Sequence, residues 1–137
     1  MTVLLGDNLF EDDLTPAVNR FLERGHGARL FLKEVKDPTR FGVPILLGNR
    51  IIQIDEKPKR PKSSYAVTGI YMYDARVFEI ISQIQPSARN ELEISDVNNA
   101  YIQREDLTYE ILSGWWTDAG TFQSLYDASE LARKTGF

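Results

Sequence analysis

The segment that decides the fold is Thr2-Val3-Leu4-Leu5-Gly6-Asp7-Asn8, a short apolar run that ends in a polar loop. Runs of this kind are typical of a buried strand, and the loop then opens at the carboxyl end of that strand. We expect the strand to lie at the centre of a sheet. Its polar end would face the crevice where α/β proteins bind ligands, at the carboxyl ends of their strands.

The next predicted elements are a helix and a second strand. Thr15-Pro16 supplies a helix cap and a first-turn proline, apolar residues follow at helical spacing, and Gly25 ends the helix. A strand is predicted over residues 28–35. The order strand, helix, strand, with short connections, indicates a crossover unit of an α/β sheet.

The rest of the chain is predicted to extend this sheet. Gly48-Asn49 predicts a hairpin between residues 43–47 and 50–54, and residues 65–73, apolar on both faces, predict another central strand. Further helices are predicted from residue 74 or 75 and after Ser95, with a strand over 107–112. The last helix, capped by Thr121, would turn four residues to the core: Phe122, Leu125, Tyr126 and Ser129. We expect one α/β domain over residues 1–137.

The composition is that of an ordinary soluble globular protein. Of the 137 residues, 42% are hydrophobic and 26% charged, and no apolar run approaches the roughly 20 residues of a membrane span. The net charge of −4 argues against nucleic acid as a partner, because binding phosphates needs a positive face. The absence of cysteine excludes disulfides, thiolate zinc sites and cysteine nucleophiles. With no signal-like opening, we expect a cytoplasmic protein with no membrane partner.

Two aspartates end predicted strands and could share one metal ion. Asp7 follows the first strand, and Asp118 stands where an aromatic strand end meets the last helix. Carboxylates in ones and twos, completed by water and substrate phosphates, are how proteins usually hold Mg²⁺. Alternatively Asp7 caps a turn and Asp118 caps the helix, and both interpretations fit the local sequence.

Glu56 and Lys57 end the second strand of the hairpin. Glu56 follows Ile52 and Ile54 at a spacing of two, so the apolar face of the strand would end in a carboxylate, with Lys57 on the other face. A carboxylate aimed inward needs hydrogen-bond donors, which sugar hydroxyls would supply. Alternatively the strand ends at Asp55 and Glu56 enters solvent, the commoner outcome for Glu.

Four other positions carry weaker signals. Gly42 and Gly69 mark either the close approach of a ligand or a turn or bulge. Arg89, in a charge-rich loop, would bind a phosphate or pair with neighbouring carboxylates. His26 lies in a predicted turn and is assigned no function. Walker A, G-x-S-x-G, H-E-x-x-H and G-x-G-x-x-G motifs are all absent from the sequence, which removes the usual support for the corresponding enzyme classes.

Several short motifs lie along the chain in a characteristic order. They are Leu4-Leu5-Gly6-Asp7-Asn8, Asp37-Pro38 with Arg40-Phe41-Gly42-Val43, Glu56-Lys57-Pro58, Pro61-Lys62-Ser63-Ser64-Tyr65-Ala66-Val67-Thr68-Gly69, Pro86-Ser87-Ala88-Arg89 with Glu91-Leu92-Glu93-Ile94-Ser95-Asp96, and Trp116-Thr117-Asp118-Ala119-Gly120-Thr121. In this order and spacing the chain resembles the glucose-1-phosphate thymidylyltransferase family, whose members make dTDP-glucose from dTTP and glucose 1-phosphate. The resemblance covers essentially the whole chain and implies part of a Rossmann-like mixed sheet flanked by helices, the fold of nucleotide-diphospho-sugar transferases.

The resemblance also implies roles for particular residues. Asp7 and Asp118 would hold the cofactor Mg²⁺, Lys57 would position the acceptor, and Arg89 would approach a phosphate. These four are the expected catalytic residues. The sugar nucleotide or sugar phosphate would contact Asn8, Gly42, Glu56, Lys57 and Val67.

The chain departs from the family pattern at two residues and in the N-terminal part of that pattern. Phe41 replaces a frequent Tyr, Asn90 replaces a common Gly, and the family's Gly-rich nucleotide-binding loop with its catalytic Arg is not found. The family reaction is a direct displacement, in which a phosphate oxygen of the sugar phosphate attacks the α-phosphorus of the nucleotide and pyrophosphate leaves. Without the loop that holds the triphosphate, we expect negligible activity from this chain alone. We also expect a homo-oligomer or a complementary N-terminal part as partner, because sheet edges would be exposed.

Two competing interpretations remain. The chain could belong to a uridylyl-, adenylyl- or guanylyltransferase of the same fold, since base choice would depend mainly on the part that is not found. It could instead be a non-catalytic sugar-phosphate binder that keeps Glu56, Lys57 and Val67 without chemistry.

Overall fold

The computed structural model, which describes residues 1–84 and 94–136, is a mixed sheet with helices on both faces. The strands are β1 (Thr2–Leu4), β2 (Asn8–Phe10), β3 (Ala28–Glu34), β4 (Gly42–Leu47), β5 (Arg50–Glu56), β6 (Tyr65–Tyr73), β7 (Leu107–Ile111) and β8 (Trp116–Asp118). The helices are α1 (Thr15–Arg24), α2 (Val77–Gln83), α3 (Ile94–Gln103) and α4 (Phe122–Thr135), with a 3₁₀ turn at Pro38–Arg40. The predicted α/β class is confirmed.

Strand β6 is the centre of the main sheet. The order is β5-β4-β6-β3-β7, and β1 pairs with β6 on the same side as β4. β6 is antiparallel to β1, β3 and β4, whereas β3 and β7 are parallel. Eight of its nine residues are buried, which confirms the central strand predicted over residues 65–73. β2 and β8 form a separate two-stranded ribbon.

The sheet separates two hydrophobic cores. Successive residues of β3 point to opposite faces, so Leu30 and Leu32 join the core under α2 and α3, and Phe31 joins the core under α1. The first core includes Tyr73, Val97 and Tyr101, with stacked rings of Tyr73 and Tyr101 whose centroids lie 5.8 Å apart. Both faces of the sheet are therefore covered, as the two-sided apolar pattern of β6 predicts.

The predicted central position of the first strand is wrong. β1 pairs with β6 on one side, and in the described part of the chain no strand pairs with its other side. Leu4 is 53% exposed and the following Leu5 is 45% exposed. The apolar run is real, but β6 rather than β1 occupies the centre of the sheet. The amide and carbonyl groups along this edge of β1 have no strand to bind.

The predicted core face of the last helix is also wrong. α4 buries Ser124 and Ala128, whereas Phe122 is 95% exposed and Tyr126 is 62% exposed. The reason lies at the start of the helix, where the hydroxyls and amides of Thr121 and Ser124 form a capping box and turn Ser124 inward. In residues 1–84 and 94–136 no helix has the length and hydropathy needed to cross a bilayer.

Candidate functional site

The β2–β8 ribbon brings the two predicted metal ligands together. Asn8 pairs with Asp118, Leu9 with Thr117 and Phe10 with Trp116, so the residues just outside the ribbon, Asp7 and Ala119, also become neighbours. The amide of Ala119 donates to the carbonyl of Asp7 at 2.5 Å. Asp7 and Asp118, which are 111 positions apart along the chain (118 − 7), thus lie at one end of a short ribbon.

Gly120 lies between the two carboxylates. A Cβ at position 120 would lie 3.3 Å from Oδ2 of Asp7 and 3.3 Å from Oδ2 of Asp118, so both oxygens converge on the space that a side chain would fill. In residues 1–84 and 94–136 no group of three or more His, Cys, Asp or Glu side chains is arranged to hold a metal ion by itself. Two converging hard oxygens, with space beside them, fit Mg²⁺ that takes its other ligands from water and substrate phosphates.

Asn8 fixes the positions of these groups. Its Oδ1 accepts from the amide of Gly69 at 2.7 Å and from Nε1 of Trp116 at 2.8 Å, and its Nδ2 donates to Oδ1 of Asp7 at 3.0 Å. A Cβ on Gly69 would lie only 2.6 Å from Nδ2 of Asn8, so this position needs glycine. The group close to Gly69 is the side chain of Asn8, whereas the predicted approach of a ligand stays a prediction. The predicted contact between Asn8 and the substrate stays a prediction.

Three of the five predicted sugar-contacting residues form a row across three strands. Gly42 of β4 pairs with Val67 of β6 on one side and with Glu56 of β5 on the other. A Cβ on Gly42 would lie 3.4 Å from Oε2 of Glu56, so glycine leaves this part of the row open. Residues from three separate sequence motifs therefore lie side by side.

Glu56 is exposed, yet its carboxylate is held in place. β5 continues to Glu56, and the hydroxyl of Ser95, which is 6% exposed at the start of α3, donates to Oε2 of Glu56 at 2.5 Å. The predicted apolar face of Ile52 and Ile54 is wrong in part. The β4–β5 register shifts near Ile45 and leaves Ile52 42% exposed, so Ile51 and Ile54 are the buried pair. Sequence reasoning did not assign Ser95 this positioning contact.

Lys57 follows directly in a left-handed backbone conformation. Its φ is 47°, and its amide donates to the carbonyl of Phe41 at 2.9 Å. This bond connects the end of β5 to the residue before Gly42, so the backbone that carries Lys57 is fixed against the row of Val67, Gly42 and Glu56. A non-glycine residue with positive φ is uncommon and is found most often at turns and functional sites.

Tyr71 is a buried phenol whose pKa responds to two of the predicted site residues. Burial raises its pKa, the negative charges of Glu56 and Asp7 raise it in the same direction, and together they bring it to about 12. Tyr71 also lies on the same face of β6 as Val67, in the same hydrophobic core. Both carboxylates therefore raise the pKa of one phenol, which stays protonated at neutral pH.

Arg40 is a further charged group that sequence reasoning left without a role. Its guanidinium lies over the ring of Phe41 at 5.2 Å and donates to Oδ2 of Asp118 at 3.2 Å. The only sequence signal was its place in a motif before Gly42. Arg89 lies outside the described residues, and so does the motif over residues 86–93 that contains it.

His26 contacts a residue that is not among the predicted site residues. Its Nδ1 lies 2.7 Å from Oδ1 of Asp106, within a group of ion pairs at another corner of the molecule. His26 thus has a structural contact with Asp106.

Comparisons with known proteins identify relatives of this chain. The sequence is 44% identical over 135 residues to the glucose-1-phosphate thymidylyltransferase of Neisseria meningitidis serogroup A, and 43% identical over 131 residues to that of Xanthomonas campestris pv. campestris. These matches cover 96% and 93% of the chain, but 47% and 44% of the relatives. The chain thus spans about half the length of the curated relatives it matches.

Solved structures give the same result. A Bacillus anthracis protein, described as a glucose-1-phosphate thymidylyltransferase and crystallised with sucrose, is 56% identical and superposes with a TM-score of 0.93 over 100% of this chain and 56% of its own. An apo UDP-glucose pyrophosphorylase, 23% identical, superposes with a TM-score of 0.85 and supports the fold alone. The sequence profile of the family described as Nucleotidyl transferase matches residues 1–135. The chain therefore belongs to the nucleotidyl transferase family.

Proposed function

We propose that this chain supplies the metal-binding and sugar-phosphate-binding part of a nucleotidyltransferase that makes dTDP-glucose and pyrophosphate from dTTP and glucose 1-phosphate. The observation that carries the proposal is the convergence of Asp7 and Asp118 on the open space at Gly120. The name of these relatives, glucose-1-phosphate thymidylyltransferase, supports dTTP as the nucleotide in the proposed reaction. The reaction would belong to cytoplasmic sugar-nucleotide synthesis.

Each group would have a distinct task. Asp7 and Asp118 would hold Mg²⁺, which when bound supplies positive charge to the phosphates. Glu56, held by Ser95, would accept hydrogen bonds from sugar hydroxyls, and the open row at Gly42 would leave room for the sugar ring. Lys57, and Arg89 outside the described residues, would bind phosphate oxygens. No covalent protein nucleophile is needed, because positioning and charge neutralisation account for most of the catalysis of phosphoryl transfer.

The open edge of β1 supports a partner that completes the sheet. Leu4 and Leu5 are exposed there, and unpaired strand edges readily pair with another chain. We propose a complementary polypeptide or a second copy of this chain as that partner. Turnover by the 137-residue chain alone is expected to be negligible, because the Gly-rich loop that would hold the triphosphate is not found in its sequence.

The test is calorimetric titration of the chain with glucose 1-phosphate, with and without Mg²⁺, followed by assays for dTDP-glucose from dTTP. We expect binding that Mg²⁺ strengthens and that Asp118→Asn weakens, with no detectable product. Glu130→Gln is the matched control, because this carboxylate pairs with Arg133 on the surface of α4. Binding that is insensitive to both Mg²⁺ and Asp118→Asn would favour a non-catalytic sugar-phosphate binder. Product formation by the chain alone would contradict the expected inactivity.

A further inference from the structure

Arg40 occupies the same carboxylate oxygen that the proposed metal site needs. Its guanidinium donates to Oδ2 of Asp118 at 3.2 Å, and Oδ2 is the Asp118 atom that lies 3.3 Å from the open Cβ position of Gly120. A cation bound between Asp7 and Asp118 and the guanidinium of Arg40 would therefore compete for one oxygen. Both are positive, so they also repel each other across it.

The surroundings of Arg40 hold the guanidinium near Asp118 without burying it. The 3₁₀ turn that carries Arg40 is capped by Asp37, whose side chain accepts from the amide of Thr39 at 3.2 Å. The guanidinium lies over Phe41, whose ring packs edge-on against Trp116 with centroids 5.3 Å apart. This places Arg40 at the edge of β8, on the rim of a hollow of about 240 Å³ that Asp118 also lines.

The Arg40–Asp118 pair has the properties of a reversible contact. The side chain of Arg40 is 47% exposed and that of Asp118 is 17% exposed, and such partly exposed pairs contribute little net stability because water competes for both groups. Arg40 also has a second negative neighbour. Hydrogen bonds from Thr39 lower the pKa of Asp37, and the charge of Arg40 lowers it further. Arg40 could thus leave Asp118 and remain balanced by Asp37.

We propose that Arg40 is a built-in counter-ion of the metal site: it neutralises Asp118 in the metal-free protein and is displaced when a divalent cation binds between Asp7 and Asp118. The inference rests on the proposed metal site. It assigns Arg40 a positioning role, since Arg40 acts through Asp118 rather than on a reacting group.

The test is a titration of the 137-residue chain with Mn²⁺, in which electron paramagnetic resonance measures free Mn²⁺. Arg40→Gln removes the competing charge, so Mn²⁺ should bind about two- to tenfold more tightly at low ionic strength. Arg40→Lys keeps the charge but loses the planar guanidinium, and its affinity should lie between the two. Arg20→Gln is the matched control: Arg20 is 54% exposed, pairs with Glu110, and its loss changes the net charge equally.

The outcomes separate the inference from the proposed site. The expected result is tighter binding in Arg40→Gln, unchanged binding in Arg20→Gln, and no effect of Arg40→Gln once Asp118→Asn is also present. Suppose that wild-type binding of Mn²⁺ depends on Asp118, but Arg40→Gln binds Mn²⁺ as tightly as Arg20→Gln or more weakly than the wild type. That result would overturn the role of Arg40 and leave the metal site standing. Binding that Asp118→Asn does not change would overturn the metal site, and the inference with it.

Discussion

At position 120, the absence of a Cβ leaves open the space on which two carboxylates converge. The oxygens of Asp7 and Asp118 lie at 3.3 Å from the point where a Cβ would stand, closer than most real Cβ contacts. Each carboxylate also has a hydrogen-bond partner, because Oδ1 of Asp7 accepts from Asn8 and Oδ2 of Asp118 accepts from Arg40. Glycine at this position therefore keeps the space between the oxygens open.

We predict that Gly120→Ala weakens the binding of Mn²⁺ or Mg²⁺ by about tenfold, because the methyl group would push the carboxylates apart. Its φ lies outside the left-handed region, so alanine adds no backbone strain, and the free energy of unfolding should change by less than about 1 kcal/mol. Metal titration and urea unfolding measure the two effects. Gly6→Ala is the control, because nothing lies within 4 Å of its added Cβ. Equal metal affinities in both variants would refute the shared site.

The residues of the site differ in how far sequence could identify them. Asp7 and Asp118 each had a capping alternative on local grounds, and only the β2–β8 register shows that they meet. Arg40 was missed because its partner lies 78 positions away, and a solvent-exposed arginine carries no local signal of such a contact. Ser95 was missed for the same reason, since its contact with Glu56 depends on how α3 packs against β5.

At the scale of elements, loop carboxylates hold the ribbon that carries Asp118. Asp12 accepts from the amides of Ser113 and Gly114, at 3.0 and 2.8 Å, and Glu11 accepts from the amide of Trp115 at 3.3 Å. The segment before β8 is therefore bound to the segment after β2. These bonds add to the contacts of Asn8 with Gly69 and of Trp116 with Phe41 in holding the ribbon against the main sheet.

Away from the ribbon, hydrogen bonds and ion pairs around Asp74 hold other elements together. Asp74, after β6, accepts from the amide of Gly27, the hydroxyl of Tyr101 and the guanidinium of Arg76, which also pairs with Asp106. Burial alone would raise the pKa of Asp74, but these hydrogen bonds outweigh burial and lower it to about 2. One carboxylate thus connects the starts of β3 and α2 with α3.

We predict that Asp74→Asn destabilises the protein at pH 7 by about 1 to 3 kcal/mol, because the neutral amide accepts these bonds less well. The folded pKa of Asp74 is depressed, so its contribution is present above the unfolded value and is lost as the pH falls from about 4 to about 2. The difference in unfolding free energy between wild type and variant should therefore narrow as the pH is lowered from 7 to 3, measured by urea unfolding.

Asp55→Asn is the control for this prediction, because Asp55 accepts from Gln53 on the exposed side of β5. That variant should follow the pH dependence of the wild type. A constant difference between wild type and Asp74→Asn from pH 7 to pH 3 would show that the charge of Asp74 does not stabilise the protein.

The existence and order of elements followed well from sequence, whereas their exposure did not. The hairpin, the central strand at residues 65–73 and the helix that Gly25 ends are all present. The errors concern α4, where small residues face the protein, and β1, which lies at an edge. Apolar spacing predicts that one face of an element is buried, but it does not identify what packs against that face. On α4 and β1 large apolar residues such as Phe122 and Leu4 stay exposed.

At the scale of the whole molecule, exposed apolar residues flank the open edge of β1. The open edge of β1 carries Leu4 and Leu5, and beside it a hollow of about 450 Å³ is lined by Met1, Leu22 of α1 and Phe78 of α2. Apolar groups thus flank an edge that can also form backbone hydrogen bonds. An edge with these properties favours association.

We predict concentration-dependent self-association of the 137-residue chain, and a reduction of it by Leu4→Lys, because a charged edge residue opposes strand pairing. Sedimentation velocity or light scattering over a range of concentrations measures the effect. Leu47→Lys is the control, since Leu47 is 68% exposed at the end of β4 in the hairpin. A monomer at all concentrations would contradict the prediction, and so would equal association of the two variants.

The edge of β1 has a consequence for how this association depends on temperature. Any chain that covers it removes the side chains of Leu4 and Leu5 from water, and burial of apolar surface carries a negative heat-capacity change. Hydrophobic attraction weakens on cooling. Complexes formed at this edge should therefore loosen in the cold, and the chain should be most monomeric when it is kept on ice.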